Sequence, residues 1–359
     1  MAPSTPGKKA TPGKKGNDHG EDVEFDAAGR TVVISSPNKV MFPDAQNTPG
    51  GLTKLDVAKH YLTVEEPIMR TVRDRPTLLQ RFPNGVTGQN FFQKRIPDNA
   101  PDWLQTTVVS TPNGTTSRAI VMADIAHVLW AANLGCLGFH PWPYRATDPD
   151  NTDELRIDLD PSPGVTFAMV CEAAVEVRDF LAENDITSYI KTTGNRGLHV
   201  YTRVEPGWDS FGTRQAAVSV ARAMEAKRPE LITGQWWKEE RGPRVFIDFN
   251  QNAPHKTVFG AWCVRSRVGA PVSTPFHWDE LPSIRPDELT ILTVPARLEA
   301  RGDPWGTIDN KPQSIRPLVE RYQADLARGI PDAPWPPVYP KMPDEAPRVN
   351  PSRARHDDE

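Results

Sequence analysis

The 359-residue sequence has no apolar run near the roughly 18 residues that a membrane-spanning helix needs, and no segment typical of a secretion signal. Its three cysteines, Cys136, Cys171 and Cys263, are far apart and lack the spacing of a metal site. These absences predict a cytoplasmic protein with reduced thiols. The net charge of −4 excludes recognition of nucleic acid by bulk charge and leaves only local basic clusters for that role.

Composition divides the chain into three parts. Residues 1–27 are of low complexity, contain Thr-Pro-Gly-Lys-Lys twice, and are predicted to form a disordered basic tail. Residues 28–328 are predicted to form one domain with lobes at 28–150 and 151–300. The Pro-rich segment 329–359 is predicted to be an extended strap with a charged disordered end, docked at least in part through Trp335 and Tyr339.

Helical and strand periodicities alternate along the central part of the chain. Helices are predicted at 53–72, 124–134, 166–183 and 211–227, and strands at 77–82, 106–110, 115–121, 187–191 and 198–202. This alternation is typical of an α+β or α/β core.

Two aspartates alternate with apolar residues in the segment Leu155-Arg156-Ile157-Asp158-Leu159-Asp160-Pro161. Because successive side chains of a strand point to opposite faces, Asp158 and Asp160 share one face while Ile157 and Leu159 point into the core. Two carboxylates so close raise each other's pKa unless a cation lies between them. The segment therefore predicts a divalent metal site.

A third carboxylate, Asp248, stands in the apolar strand predicted over residues 245–249. Three carboxylates on two hydrophobic strands are what a two-metal phosphoryl-transfer site requires, and oxygen ligands favour Mg²⁺ or Mn²⁺ over Zn²⁺. The competing interpretation is that each aspartate caps a strand end or pairs with an arginine such as Arg156. That would explain a single aspartate better than it explains this set.

The segment Lys191-Thr192-Thr193-Gly194-Asn195-Arg196-Gly197-Leu198-His199 is a glycine-rich turn between two predicted strands. Gly194 and Gly197 allow backbone N–H groups to converge on an anion, while Thr193, Arg196 and His199 add side-chain donors. The spacing is not that of a P-loop. An ordinary hairpin turn explains the segment alone, but its position between the aspartates favours triphosphate binding.

Two further groups of residues carry positive charges that could bind phosphate. Basic residues surround the third aspartate, and we expect them to bind phosphate unless they form only a solvated surface: Lys238, Arg241, Arg244, Arg265 and Arg267. The adjacent aromatics Phe91 and Phe92 precede Lys94 and Arg95, a pattern suited to stacking on a base while holding a phosphate. Core packing of one of the two phenylalanines is the alternative.

Together these motifs resemble the archaeo-eukaryotic primase (primase-polymerase) superfamily, in particular the polymerase domain of bacterial DNA ligase D and its stand-alone relatives. The resemblance extends from about residue 36 to about residue 281, and it rests on the motif order Asp-x-Asp, Gly-Leu-His and Val-Phe-Ile-Asp, with Pro-Asn-Lys-Val-Met-Phe-Pro near the start. It implies an α+β fold with two β-sheets flanked by helices, the catalytic half resembling an RNA-recognition-motif sheet.

The resemblance also implies roles for individual residues. Asp158, Asp160 and Asp248 would hold two divalent ions, Mn²⁺ or Mg²⁺, with Mn²⁺ effective in this family. Contacts to the incoming nucleotide are implied for Thr193, Gly194, Arg196, Gly197, His199, His140, Lys238, Gln251 and Arg265. Contacts to DNA are implied for Lys39 and Lys54, as a pocket for a downstream 5′-phosphate, and for Phe91, Phe92, Lys94, Arg241 and Arg267. Thr193 stands where the relatives usually have Ser, and Asn195-Arg196 replaces Ser-Lys.

The function implied is that of a stand-alone DNA-repair polymerase, as in non-homologous end joining or base excision repair. It would fill short gaps from NTP or dNTP, as a nucleoid-associated monomer, and leave sealing to a separate ATP-dependent ligase. Three alternatives remain open from the residues: a two-metal nuclease or phosphodiesterase, an inactive module that recognises DNA ends, and a primase that starts chains de novo.

Overall fold

A computed structural model describes residues 19–43, 48–111 and 114–336. The first half of the chain contains nine strands and three helices among these residues. They are β1 (Val23–Ala27), β2 (Arg30–Ile34), β3 (Val40–Phe42), β4 (Leu52–Thr53), α1 (Lys54–Thr63), α2 (Glu65–Val72), β5 (Pro76–Arg81), β6 (Phe91–Gln93), β7 (Thr106–Ser110), β8 (Thr116–Val121), α3 (Ile125–Asn133) and β9 (Cys136–Pro141). Strands β6, β5, β8 and β7 form a sheet in that order, and β9 also pairs with β5.

The second half forms the larger, six-stranded sheet. Its elements are β10 (Glu154–Pro161), α4 (Phe167–Glu183), β11 (Tyr189–Thr192), β12 (Leu198–Arg203), α5 (Ser210–Lys227), β13 (Ile232–Thr233), α6 (Lys238–Arg241), β14 (Val245–Ile247), β15 (Pro275–Phe276), α7 (Val294–Arg301) and α8 (Arg316–Ala327). Short 3₁₀ helices lie at Phe249–Asn252, Trp278–Ser283 and Pro286–Glu288.

Strand order in the larger sheet is β13-β14-β10-β12-β11-β15. The β-α-β-β-α-β succession runs from β10 to β13 and is followed by α6 and β14. In the sheet, β10 lies between β14 and β12, and both are antiparallel to it. The predicted α+β class, with two sheets flanked by helices, is confirmed. No helix of the described ranges is long and apolar enough to cross a membrane.

The structure corrects three predictions of local structure. Residues 23–27, assigned to the disordered tail, form β1, which pairs with β2. The helix predicted over 53–72 is two helices that meet at Val64. Pro67 explains the break, because it has no N–H and its ring clashes with the carbonyl of the residue four positions earlier. The strand predicted to include Asp248 ends one residue before it.

The ends of the chain are only partly described. The predicted tail lies outside the described residues up to residue 18, as does the predicted strap from residue 337 onward, including Tyr339. The visible part of the strap, residues 329–336, docks against the folded domain. Trp335 is 7% exposed, and its ring stacks on the guanidinium of Arg214 in α5, 3.7 Å from it.

Candidate active site

Strand β10 presents the Asp158 and Asp160 carboxylates on the same side of the larger sheet. Asp158 lies opposite His199 of β12, and Asp160 lies opposite Phe246 of β14. Asp158 is buried at 7% exposure, whereas Asp160 is exposed at the end of the strand. The alternation of the sequence therefore produces the predicted pair at the edge between core and solvent.

Asp248 reaches the same place from the neighbouring strand. Its backbone N–H donates to the carbonyl of Asp158 over 3.0 Å, and its side chain caps the 3₁₀ turn Phe249–Asn252. The carboxylate accepts from the backbone N–H of Asn250 (3.1 Å) and from Nε2 of Gln251 (2.9 Å). Gln251, predicted to contact the nucleotide, thus holds a carboxylate in this structure.

The three carboxylates disfavour one another's ionisation. Burial raises the pKa of Asp158 to about 6. The neighbouring charge of Asp158, followed by burial, raises the pKa of Asp160 to about 7, and burial followed by Asp158 raises the pKa of Asp248 to about 7. Clustered acids with raised pKa values are typical of a site completed by a cation.

The donor set fits divalent cations that prefer oxygen. Asp158 Oδ1 is buried without a hydrogen bond, although His199 Nε2 lies 3.1 Å away, because the geometry between them is poor. A cation would satisfy this atom. In the described ranges no three His, Cys, Asp or Glu side chains form a ready-made metal cluster, so the carboxylates would have to turn toward an ion as it binds.

We expect Asp158→Asn to stabilise the metal-free protein at about pH 8 by roughly 1–3 kcal/mol, measured by chemical denaturation. The folded-state pKa lies above the ordinary value, so ionisation opposes folding, and the opposition is complete above about pH 6. Asparagine keeps the size of the side chain and removes that charge.

Glu154 is the matched control, since it is another buried acid of β10. Burial alone would raise its pKa, but Arg75, Arg156 and Arg203 lower it to about 2. Glu154→Gln should therefore destabilise the protein by roughly 3–5 kcal/mol, because it leaves buried arginines without a counter-charge. If Asp158→Asn also destabilises the protein, the inference that the ionised Asp158 carboxylate opposes folding is wrong.

Three polar side chains, one of which is Asp158, form a row across the larger sheet. Asp158 pairs with His199 in register, and His199 pairs with Lys191 of β11. Burial, followed by Arg265, lowers the pKa of Lys191 to about 7, and burial also lowers the pKa of His199, which is therefore neutral. Sequence reasoning assigned no role to Lys191, although its register with His199 follows from the spacing of the turn.

The glycine-rich turn is held rigidly against the sheet. The Thr193 hydroxyl accepts from the backbone N–H groups of Asn195 and Gly197, both at 3.2 Å, and donates to the Gly197 carbonyl at 3.1 Å. A Cβ at Gly197 would lie 2.6 Å from the Leu159 carbonyl oxygen, and one at Gly194 would lie 2.7 Å from Arg265 Cγ. Glycine is therefore required at both positions by close packing.

A cavity of about 470 Å³ opens between this turn, the aspartates and α6. It brings together nine of the predicted residues: Asp158, Asp160, Thr193, Arg196, Gly197, His199, Lys238, Arg241 and Arg265. Arg265 stacks on Phe259 (3.5 Å) and donates to the Thr193 carbonyl (2.8 Å), while Arg241 stacks on Phe246 (3.5 Å). Cations thus face carboxylates across a space of nucleotide size.

Gly194 and Arg267 lie on a second cavity of about 370 Å³, on the other side of the turn. Arg196 and Asn195 line both cavities. Arg265 and Arg267 are two residues apart, a spacing that a regular strand would place on one face, but only Arg265 lines the cavity with the aspartates. The backbone after β14 has no long regular strand here, so the periodicity of a strand does not apply.

His140 and the two adjacent aromatics form a surface next to the main cavity. His140 of β9 makes edge contacts with the rings of Phe92 (5.3 Å) and Phe259 (5.2 Å), and burial lowers its pKa to about 3. Phe91 and Phe92 are 45% and 54% exposed, so the alternative that one is a core residue is wrong. Arg81 lies 5.1 Å from the ring of Phe91, and Lys94 follows β6.

The two lysines predicted to bind a 5′-phosphate lie at the N-terminal end of the fold. Lys54 is 6% exposed, and its ammonium donates to Ser35 Oγ, Asn133 Oδ1 and the Asn133 carbonyl at 3.1–3.4 Å. Lys39 donates to Asn84 Oδ1 at 3.4 Å. Burial, followed by the charge of Lys39, lowers the pKa of Lys54 to about 8, so the two ammonium groups are close enough to repel.

Comparisons with known proteins agree with this geometry. Residues 53–305 match the family model described as LigD, primase-polymerase domain. Similar curated proteins include the multifunctional non-homologous end joining protein LigD of Mycolicibacterium smegmatis, 32% identical over 280 residues, and the bifunctional LigD of Bacillus subtilis, 31% identical over 284 residues. The alignments cover 77% and 79% of this chain but only 36% and 45% of those proteins.

A solved structure extends the comparison to three dimensions. The polymerase domain of Mycobacterium tuberculosis ligase D, determined in complex with DNA, matches with a TM-score of 0.73 at 30% identity. The match covers 79% of this chain and 99% of that domain.

Proposed function

Because the chain belongs to the LigD primase-polymerase domain family, whose members are DNA polymerases of the nucleotidyltransferase type, we propose that it fills short gaps in DNA. It transfers nucleotides from NTP or dNTP to the 3′-hydroxyl of a primer opposite a template. One observation carries this proposal: Asp158 and Asp160 line a cavity together with four cationic side chains, and the third carboxylate, Asp248, belongs to a residue hydrogen-bonded through its backbone to Asp158. A metal-bound triphosphate would neutralise this pattern of charge.

The carboxylates and the cationic side chains of the cavity have different roles in binding. Asp158, Asp160 and Asp248 would hold two divalent ions, Mn²⁺ or Mg²⁺, and the chemistry that such ions would supply is activation of the primer hydroxyl and neutralisation of phosphate charge. Arg265 is already fixed by Phe259 and the Thr193 carbonyl, so it can bind phosphate with little loss of side-chain entropy.

The remaining donors position the triphosphate and the sugar. Lys238, Arg196 and Gly197 of the glycine-rich turn line the same cavity as the carboxylates and would supply these donors. His199 is neutral and can donate a hydrogen bond without adding charge. The neutral ring of His140, held between Phe92 and Phe259, faces the sugar of the nucleotide, and exposed Phe91 and Phe92 stack on bases of the primer–template.

Lys39 and Lys54 recognise the 5′-phosphate on the far side of the gap. Their mutual repulsion is relieved when a phosphate binds between them, and this favours a DNA end over uninterrupted duplex. Nucleotidyl transfer leaves a nick when the gap is full, so a DNA ligase activity must follow.

The function is tested by primer extension on a panel of gapped, primed and unprimed DNA with Mn²⁺. We expect extension on a one-nucleotide gap to be at least about tenfold faster with the downstream 5′-phosphate than without it, because charge-assisted phosphate contacts contribute roughly 1.5–3 kcal/mol. Lys39→Ala should abolish this difference while it leaves extension of the unphosphorylated gap unchanged.

The control for the Lys39 variant is Lys59→Ala, which removes a lysine from the exposed side of α1. It should retain the full preference for the phosphate. An equal rate with and without the phosphate would refute the gap-filling role. Degradation of the DNA without added nucleotide would instead support a nuclease, and synthesis on unprimed template would support a primase.

A further inference from the structure

A buried arginine connects the visible part of the strap to the core. Arg214 of α5 is 1% exposed, and its guanidinium forms an ion pair with Asp332 (3.2 Å) and donates to the carbonyls of Ala333 (2.8 Å) and Pro334 (3.2 Å). The ring of Trp335 stacks on the guanidinium, and the Trp335 indole N–H donates to Asp332 over 2.8 Å. The four residues 332–335 thus close over one buried cation.

The same arginine reaches the 3₁₀ turn that follows β14. Arg214 Nε donates to Asn250 Oδ1 over 2.8 Å, and Asn250 Nδ2 donates to the Pro334 carbonyl over 3.0 Å. The Asn250 amide is therefore held from both ends, once by the arginine and once by the strap. Its side chain is 2% exposed, so water cannot replace these partners without the strap moving away.

Asn250 is also the residue whose backbone N–H donates to Asp248 Oδ1 over 3.1 Å. A continuous path of hydrogen bonds consequently runs from the strap through Arg214 and Asn250 to the third carboxylate. The other oxygen of Asp248 is held by Gln251 of the same turn. Any shift of this turn would move both donors that orient the carboxylate.

We propose that residues 332–335 are a positioning element for the metal site: by clamping Arg214 and Asn250, they fix the turn that orients the Asp248 carboxylate. This inference rests on the proposed function, since it takes Asp248 as a metal ligand. The strap lies beyond residues 53–305, the part of the chain that matches the family model, so the element is not part of that match.

The chemistry of the clamp makes its parts interdependent. A buried guanidinium tolerates little loss of its acceptors, and a buried amide tolerates little loss of its partners. Undocking of the strap would remove the Asp332 carboxylate and two carbonyls from Arg214 at once, so the arginine and Asn250 would both have to find new partners. The turn and the strap are therefore expected to be ordered together.

The test measures binding of Mn²⁺ alone to the full-length protein at about pH 8, from the paramagnetic resonance signal of the free ion. Trp335→Ala removes the ring that covers Arg214 and the donor to Asp332. We expect its Mn²⁺ dissociation constant to rise at least about fivefold, since partners behind metal ligands typically change metal affinity by 10–100-fold. Trp335→Phe keeps the ring on Arg214 and should bind Mn²⁺ within about twofold of the unchanged protein.

The control for general destabilisation is Arg70→Gln, which breaks the ion pair of α2 with Asp303 (2.9 Å) and includes no residue of the strap or the turn. It should leave Mn²⁺ affinity unchanged even where its melting temperature falls as far as that of Trp335→Ala. If both variants lose Mn²⁺ affinity in proportion to their melting temperatures, or if Trp335→Ala binds Mn²⁺ normally, the positioning role is refuted.

The proposed function can fail separately from this inference. Primer extension that survives loss of the Asp158 carboxylate would overturn the metal site itself. Extension that requires Asp158, together with normal Mn²⁺ binding by Trp335→Ala, would overturn only the role of the strap. For a folding defect in Trp335→Ala, Trp335→Leu supplies the second variant, because it keeps a large apolar side chain while it removes the stacked ring and the indole donor to Asp332. It should also raise the Mn²⁺ dissociation constant at least about fivefold.

Discussion

Replacing Asp158 with asparagine is expected to lower the rate of nucleotide incorporation at least about a thousand-fold. Removal of one preorganised group that stabilises charge typically lowers the rate 10²–10³-fold, and Asp158 is also the most buried of the three carboxylates that would hold the metal ions. Asparagine preserves the size of the side chain, so the fold and the cavity are retained. The measurement is single-turnover extension on a one-nucleotide gap with saturating Mn²⁺ and nucleotide.

The control for this loss is Asp179→Asn, which removes a carboxylate of α4 that pairs with Arg178 at the protein surface. It should extend the primer within about twofold of the unchanged protein, because exposed ion pairs contribute little. A variant of Asp158 that retains more than about a tenth of the rate would contradict the two-metal assignment. The expected thousand-fold loss, together with the expected gain in stability, would identify Asp158 as a residue retained for catalysis at a cost to folding.

The second large effect is expected in the pH dependence of metal binding. Mn²⁺ affinity should rise at least about a hundredfold between about pH 5.5 and pH 8, since carboxylates bind metal only after losing their protons. The pKa values of Asp160 and Asp248 are raised to about 7 and that of Asp158 to about 6, so protons compete with the ion across this interval. Exposed acids with ordinary pKa values would give almost no change over the same range.

A rise in pH, which should strengthen Mn²⁺ binding, should lower the stability of the metal-free protein. A carboxyl whose pKa is raised on folding binds its proton more tightly in the folded state, so metal-free stability falls as the pH rises from about 4 to about 8. Added Mn²⁺ should therefore raise the melting temperature at about pH 8 and have little effect at about pH 5.5. The Mn²⁺ affinity of Asp158→Asn should depend less on pH. If the Mn²⁺ affinity of the unchanged protein changes less than about threefold between about pH 5.5 and pH 8, the proposed competition between protons and the metal is refuted.

The parts of the fold that the sequence predicted well depend on local patterns. The alternation around Asp158 and Asp160 defined β10 and the face of its carboxylates, and Asp124 and Thr166 cap the helices expected after them. The family resemblance is confirmed, and with it the α+β class. The break at Val64 was missed because the apolar face continues across it, although Pro67 was the signal that could have revealed it.

The parts of the site that were missed depend on contacts between distant segments. Lys54 has the sequence context of a surface lysine, yet Asn133 and Ser35 bury its ammonium. Arg267 follows Arg265 by two residues, but the irregular backbone turns it toward another cavity. Asn250 and Arg214 carry no motif at all, because their role exists only when the strap has docked. Periodicity predicts on which face of its own helix or strand a side chain lies. It cannot predict a partner that comes from a distant segment of the chain.

The contact between Arg214 and the strap has a consequence for the order of folding. Arg214 and Ala333 are 119 residues apart along the chain, whereas the two strands that carry the glycine-rich turn are adjacent in sequence. Contacts at such long separation form late, because the entropy of closing the loop must be overcome first. During synthesis, the sheet and its cavity can therefore assemble while the Asp248 turn still lacks its last partners. The nascent protein would acquire the shape of the site before it acquires a fully ordered site.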